Sequence, residues 1–222
     1  MNSALSLRDV RVGGGRFALE LAPGELALIQ ADDESLITRF TELCLGLVPP
    51  QSGVVAALGL DWQDLSEVAA RRLRGRIGIV SLDGGWAPQH SVADSVILAA
   101  LQHRVATADE LRDRAAELCR RFGLPGLPLQ RPGDLSPAQL ACAACARAFL
   151  ARPALLILEA PLRGNTVPEL RLPLLEALAM AQPAACLWLT TSLSVWTDRA
   201  VPAAQRLRLG SHGIEQAGRV AA

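Results

Sequence analysis

"ALIQADDESLITRFT" (27–41) decides how this chain is read. The apolar run Ala27-Leu28-Ile29 suits a buried strand, and Leu36, Phe40, Leu43 and Leu47 then recur at near-helical spacing. Between them lies a short polar turn with three consecutive acids, Asp32, Asp33 and Glu34, and no glycine. A strand, a tight turn and a helix in succession are the unit from which a parallel α/β sheet is built. The acids place negative charge where the free N–H groups of a helix start attract an anion.

The same alternation continues outward. "ALSLRDVRV" (4–12) and "RFALEL" (16–21) alternate apolar and polar residues around Gly13-Gly14-Gly15, which predicts an antiparallel hairpin. "ELALIQ" (25–30), "GVVAALG" (53–59), "RIGIVSL" (76–82), "ALLILE" (154–159) and "ACLWLT" (185–190) read as further strands. Helices are expected over 34–46, within "SEVAARRLRG", over 167–181, and from about 92 to 151 with a break at "GLPGLPLQRPGD". A last hairpin is expected in "QRLRLGSHGIEQAG" (205–218). Strands alternating with helices imply a mostly parallel sheet covered on both faces, and the central helical block implies a small helical subdomain.

Composition narrows the class. Half of the 222 residues are hydrophobic, enough to stock a sizeable core. Twenty-two basic and 22 acidic residues cancel, so the chain has no overall charge to recruit nucleic acid or an anionic membrane surface. No apolar run reaches the roughly 20 residues of a membrane span. The start "MNSALSLRDV" has neither a basic region nor a long apolar stretch, so a cytoplasmic location is expected. Five cysteines are scattered and odd in number; Cys142 and Cys145 form C-x-x-C inside a helical pattern without a second pair, as ordinary buried thiols would.

Two blocks carry a resemblance to a known family. "APGELALIQADDESLITRF" stands where ATP-binding cassette (ABC) ATPases have a strand, the Walker A loop and a helix. "LSPAQLACAACARAFLARPALLILEAP" stands where they have the signature motif, its helix and the Walker B strand. The middle section, "IVSLDGGWAPQHSVADSVILAALQH" (79–103), resembles the ATPases of Mla/MCE-type phospholipid transporters. The resemblance implies an α/β, P-loop NTPase-like fold with a mostly parallel central sheet, an N-terminal antiparallel β part and an inserted helical subdomain. Residues 1–91 and 152–222 would form the core and 92–151 the helical subdomain, as one ABC-type nucleotide-binding domain.

Residue by residue, the chemistry of that family is replaced. A Walker A loop wraps phosphates with the N–H groups of its glycines, neutralises charge with Lys and holds Mg²⁺ with a hydroxyl. The matching positions here are Gln30, Asp33, Ser35, Leu36 and Ile37; Thr38 alone resembles the usual run. A like-charge contact at about 4 Å costs roughly 1 kcal/mol in water, so the acids oppose a triphosphate. They also suit a helix N-terminus, where Asp caps free N–H groups. At Walker B, Glu159 stands for the Mg²⁺-linked Asp, and Ala160 replaces the base and can accept no proton. The Q-loop position holds Leu82, the switch-histidine position Thr191 and the D-loop position Thr166. The signature is Leu135-Ser136-Pro137-Ala138-Gln139, in which Ser136 either caps the following helix or touches a nucleotide on a partner subunit. Trp86 and Asp83 lie in "DGGWAPQH" (83–90), read as a permease-docking surface with an exposed aromatic anchor.

The resemblance with these losses implies a catalytically degenerate subunit of a membrane transporter, with lipid as the expected cargo. No cofactor is expected on this chain, Mg·ATP lying on a partner instead. Expected partners are a transmembrane permease, a competent ABC ATPase and an MCE-type lipid-binding protein, with no nucleic acid. The chain would sit peripherally on the cytoplasmic face of the inner membrane. Two contrasting readings stand beside it: a divergent active ATPase using Glu159, and a soluble interaction protein that has left the transporter.

Overall fold

A computed structural model describes residues 3–163 and 168–216. One ten-stranded sheet organises them, built from β1 (Leu5–Val12), β2 (Gly15–Leu21), β3 (Leu26–Ala31), β4 (Ser52–Ala57), β5 (Leu60–Asp61), β6 (Ile77–Val80), β7 (Leu155–Glu159), β8 (Ala185–Thr190), β9 (Gln205–Gly210) and β10 (Gly213–Gln216). The spatial order is β5-β4-β1-β2-β10-β9-β3-β8-β7-β6. From β9 to β6 every pairing is parallel, whereas β1, β2, β4 and β5 pair antiparallel. The N-terminal antiparallel part therefore continues the parallel core through the contact of β10 with β2.

The parallel strands are apolar on both faces because both are covered. Leu28, Leu156, Leu158 and Trp188 pack into one core beneath the helical subdomain. Their neighbours Ile29, Leu155, Ile157 and Leu187 point the other way, into a second core with α1 (Glu34–Cys44) and the antiparallel strands. Each fully buried Leu or Ile contributes about 1.5–3 kcal/mol, so these short strands are held mainly by burial.

Residues 92–150 supply three helices: α3 (Val92–Gln102), α4 (Ala108–Arg121) and α5 (Pro137–Leu150). The sequence predicts one break here, and the structure has two. Arg104 adopts φ 54° after α3, and the Thr107–Glu110 capping box starts α4. α2 (Glu67–Arg74) follows its Ser66 cap. α6 (Arg171–Met180) starts later than expected, after a 3-10 turn over Pro168–Leu170. The short α7 (Leu193–Thr197), capped by Ser192, is an element that periodicity did not predict.

Candidate functional site

The chain passes from β3 to α1 in two residues, Asp32 and Asp33. Gln30 and Ala31, which begin the Walker A register, still pair with β8 and β9. Glu34 and Ser35 are already helical. Asp32 and Asp33 are the whole connection between strand and helix.

Asp33 caps the start of α1. Its extended backbone (φ −149°) puts the carboxylate over the helix start, where Oδ1 accepts the Leu36 N–H at 2.9 Å and the Ser35 hydroxyl at 2.7 Å. The Ser35 hydroxyl and the Leu36 N–H hold the Asp33 carboxyl below its ordinary value. An anion thus already occupies the helix N-terminus, supplied by the chain itself. Ile37, at the Mg²⁺-hydroxyl position, is fully buried in the core, and Leu36 packs against it. Thr38 bonds back to the Glu34 carbonyl at 3.4 Å. Gln30 Oε1 is buried without a hydrogen-bond partner among the described residues.

At the end of β7, Glu159 is 5% exposed, and its Oε2 accepts the backbone N–H of Leu82 at 2.8 Å. The residues expected at the Walker B carboxylate and Q-loop positions are thereby bonded directly to each other. Ala160 turns the chain with φ 42° and donates its N–H to the Leu189 carbonyl at 2.8 Å. Two residues past Pro161, Arg163 Nε meets Glu34 Oε1 at 3.0 Å and links this loop to the α1 start. Thr191 lies exposed just beyond β8. Thr166 lies outside the described residues.

Ser136 caps α5 in a reciprocal box: its Oγ accepts the Gln139 N–H at 3.3 Å, and Gln139 Oε1 accepts the Ser136 N–H at 2.9 Å. Pro137 takes the first helical position, where no N–H is needed. Leu135 and Ala138 pack against the subdomain core.

Trp86 corrects an expectation. It is half-buried rather than exposed, folded back over Gly84 and packed against the core below the subdomain. The guanidinium of Arg147, on α5, lies 4.4 Å from its ring centroid and donates to the Gly84 and Gly85 carbonyls. Burial lowers the Arg147 pKa from its ordinary value, and the charge of Asp83 acts the other way. Asp83 itself is exposed and accepts the Gly85 N–H at 3.0 Å. Arg147 escaped the sequence reading; the available signal was a single charge in the apolar run "LACAACARAFL".

A cavity of about 380 Å³ brings Leu82, Trp86, Pro137, Glu159, Ala160 and Arg163 together. The β3–α1 turn and Thr191 do not line it. Cys142 and Cys145 are buried in α5, and burial pushes both thiols upward. Among the described residues no cluster of His, Cys, Asp and Glu is placed to hold a metal, and no helix is long and apolar enough to cross a membrane.

A family model described as "ABC transporter" matches residues 38–163. The lipoprotein-releasing system ATP-binding protein LolD 1 of Rhodopirellula baltica is 35% identical over 149 residues, covering 66% of this chain and 64% of that protein. The Fe(3+) ions import ATP-binding protein FbpC of Streptomyces coelicolor is 32% identical over 182 residues, covering 76% of this chain and 51% of that protein. The chain thus spans under two thirds of the length of the curated relatives it matches. Among solved structures, the dimeric bacterial ABC transporter cassette MJ0796 superposes with a TM-score of 0.83 at 19% identity, over 98% of this chain and 99% of that one. At that identity the likeness is one of fold.

Proposed function

The chain belongs to the ABC transporter family, and from that premise we propose that it is a cassette subunit that docks and dimerises without hydrolysing ATP. The observation that carries this is Asp33, whose carboxylate occupies the helix start where a nucleotide phosphate would be held. The residues around it agree. Leu36 has no charge to give a phosphate, Ile37 is core, Ala160 can accept no proton, and Thr191 has no imidazole. The match to the family model begins at Thr38, just past the replaced positions.

Two copies of this chain would hold no ordinary ATP site, so the subunit works beside a competent ABC ATPase that binds Mg·ATP. A transmembrane permease is the second partner, which places the chain peripherally on the cytoplasmic face of the inner membrane. The docking surface lies around Trp86 and Asp83, beside a groove lined by Leu98 and Ala99 of α3 and by His103 at its C-terminal cap. The cargo is lipid-bearing: relatives named for lipoprotein release support this, as does the likeness of 79–103 to Mla/MCE-type ATPases, with which an MCE-type lipid-binding protein would belong.

Co-expression with a permease and an intact cassette subunit tests the reading. The three proteins are expected to co-purify, with nucleotide bound by the intact cassette. Substituting Trp86→Ala is expected to release this chain from the complex while it stays folded. Assembly untouched by Trp86→Ala contradicts the docking surface. Turnover by this chain alone, lost in Glu159→Gln, favours the divergent ATPase instead.

A further inference from the structure

We propose that the chain carries a second binding site, for a single-chain amphipathic anion, at the end of the sheet opposite the β3–α1 turn. A cavity of about 780 Å³ opens where Arg76, Ala154 and Ala184 lead into the parallel strands β6, β7 and β8. Its size is within the range of small-molecule sites, about 300–1,000 Å³. The β3–α1 turn follows the far end of a parallel strand, so the two places lie at opposite ends of the sheet.

The lining has two parts of different chemistry. Leu58, Leu118, Phe149, Ala177 and Met180 form an apolar wall. Arg76, Arg121 and Arg152 line the same cavity, and no Asp or Glu lines it. In a chain whose acids and bases are equal in number, an acid-free lining with three arginines, of which Arg121 alone is ion-paired among the described residues, is a local concentration of positive charge. Arg121 is held by Glu117 at 3.3 Å and by Met180 Sδ at 3.4 Å. Arg76 and Arg152 form no ion pair with any described residue.

Each part excludes a simpler occupant. A neutral apolar molecule would have no use for the arginines, and a bare inorganic anion would leave the apolar wall uncovered. An alkyl chain ending in a carboxylate or a phosphate satisfies both, since the guanidinium fork matches either head group in a paired geometry. Met180, two-thirds exposed at the rim, gives the wall an adaptable edge.

Calorimetric titration of the full chain tests this with four probes: dodecanoate, dodecyl phosphate, dodecanol and inorganic phosphate. The expected result is saturable one-to-one binding of at least one dodecyl anion, at least tenfold tighter than dodecanol or inorganic phosphate. The anion that binds identifies the head group. The double variant Arg76→Gln/Arg152→Gln, at exposed positions, is expected to weaken that binding tenfold or more. Ala177→Phe, which fills the wall, is expected to do the same; should it fail to fold, the arginine variant decides. Dodecanol binding as tightly as the anions overturns the role of charge, and inorganic phosphate binding as tightly overturns the role of the cavity. Absence of saturable binding by both dodecyl anions, or binding unchanged in the arginine variant, overturns the site itself.

Discussion

The Glu159 carboxylate accepts a hydrogen bond from the Leu82 backbone N–H at 2.8 Å, tying the end of β7 to the loop after β6. The pair joins the positions expected for the Walker B carboxylate and the Q-loop. Here the carboxylate serves a backbone donor. Substituting Glu159→Ala would leave a part-buried N–H unpaired and is expected to destabilise the fold by about 1–3 kcal/mol. Glu159→Gln keeps an acceptor oxygen and is expected to cost under about 1 kcal/mol. Urea unfolding midpoints distinguish them; equal losses would show that the charge, and not the acceptor, matters.

Packing of β6 on the helical subdomain supplies the second test. A Cβ added at Gly78 would stand 2.1 Å from the Ala148 carbonyl oxygen on α5, a backbone atom that cannot swing aside. Gly78→Ala is therefore expected to destabilise by about 3 kcal/mol, at the severe end of overpacking. Gly126→Ala, which meets open space, serves as the control and should move the unfolding midpoint little.

Arg147 clamps the loop that carries the proposed docking surface. Its ring contact with Trp86 and its bonds to the Gly84 and Gly85 carbonyls would all go in Arg147→Ala. The expected loss is about 1–3 kcal/mol. Amide exchange should rise in residues 83–86 more than in α1. Unchanged exchange there would mean that the loop is held by its own turns.

Acid stability follows from two depressed carboxyls. At Asp198, burial pushes the pKa upward, but the Ala200 N–H and Arg171, whose Nε lies 2.6 Å from Oδ2, hold it below the ordinary value. Asp33 is held down by Ser35 and Leu36. A folded-state value below the unfolded one, about 3.9 for Asp, adds stability that is complete above the unfolded value and is lost as pH falls from there through the folded value. Stability should be level from pH 7 to 5 and decline below about pH 4. Asp198→Asn should lower stability at pH 7 and flatten the acid limb, as read from thermal unfolding across pH. An unchanged acid limb would show that Asp198 titrates alike in both states.

Much of the architecture was legible because strong local signals carried it. The apolar runs around Ile29, Ile157 and Leu187 suited buried strands, and Ser136 was open to a helix-capping role, which its box with Gln139 fills. The break at Arg104 was not legible, since a left-handed arginine has no signature in composition. α7 is too short for periodicity to show. At the site, the loss of glycine and lysine could be read directly from 30–37. What the sequence left out was the consequence, that Asp33 would close the turn to two residues and that Glu159 would be taken by Leu82. Trp86 looked exposed because turn residues flank it; its partner Arg147 stands 61 positions away, beyond the reach of any local pattern.

The central claim, that the chain's own carboxylate has displaced nucleotide from the helix start, is tested most directly by titrating Mg·ATP into the purified chain. No saturable binding is expected up to about 1 mM, weaker than roughly −4 kcal/mol of binding free energy. A micromolar dissociation constant for the wild-type chain would contradict it.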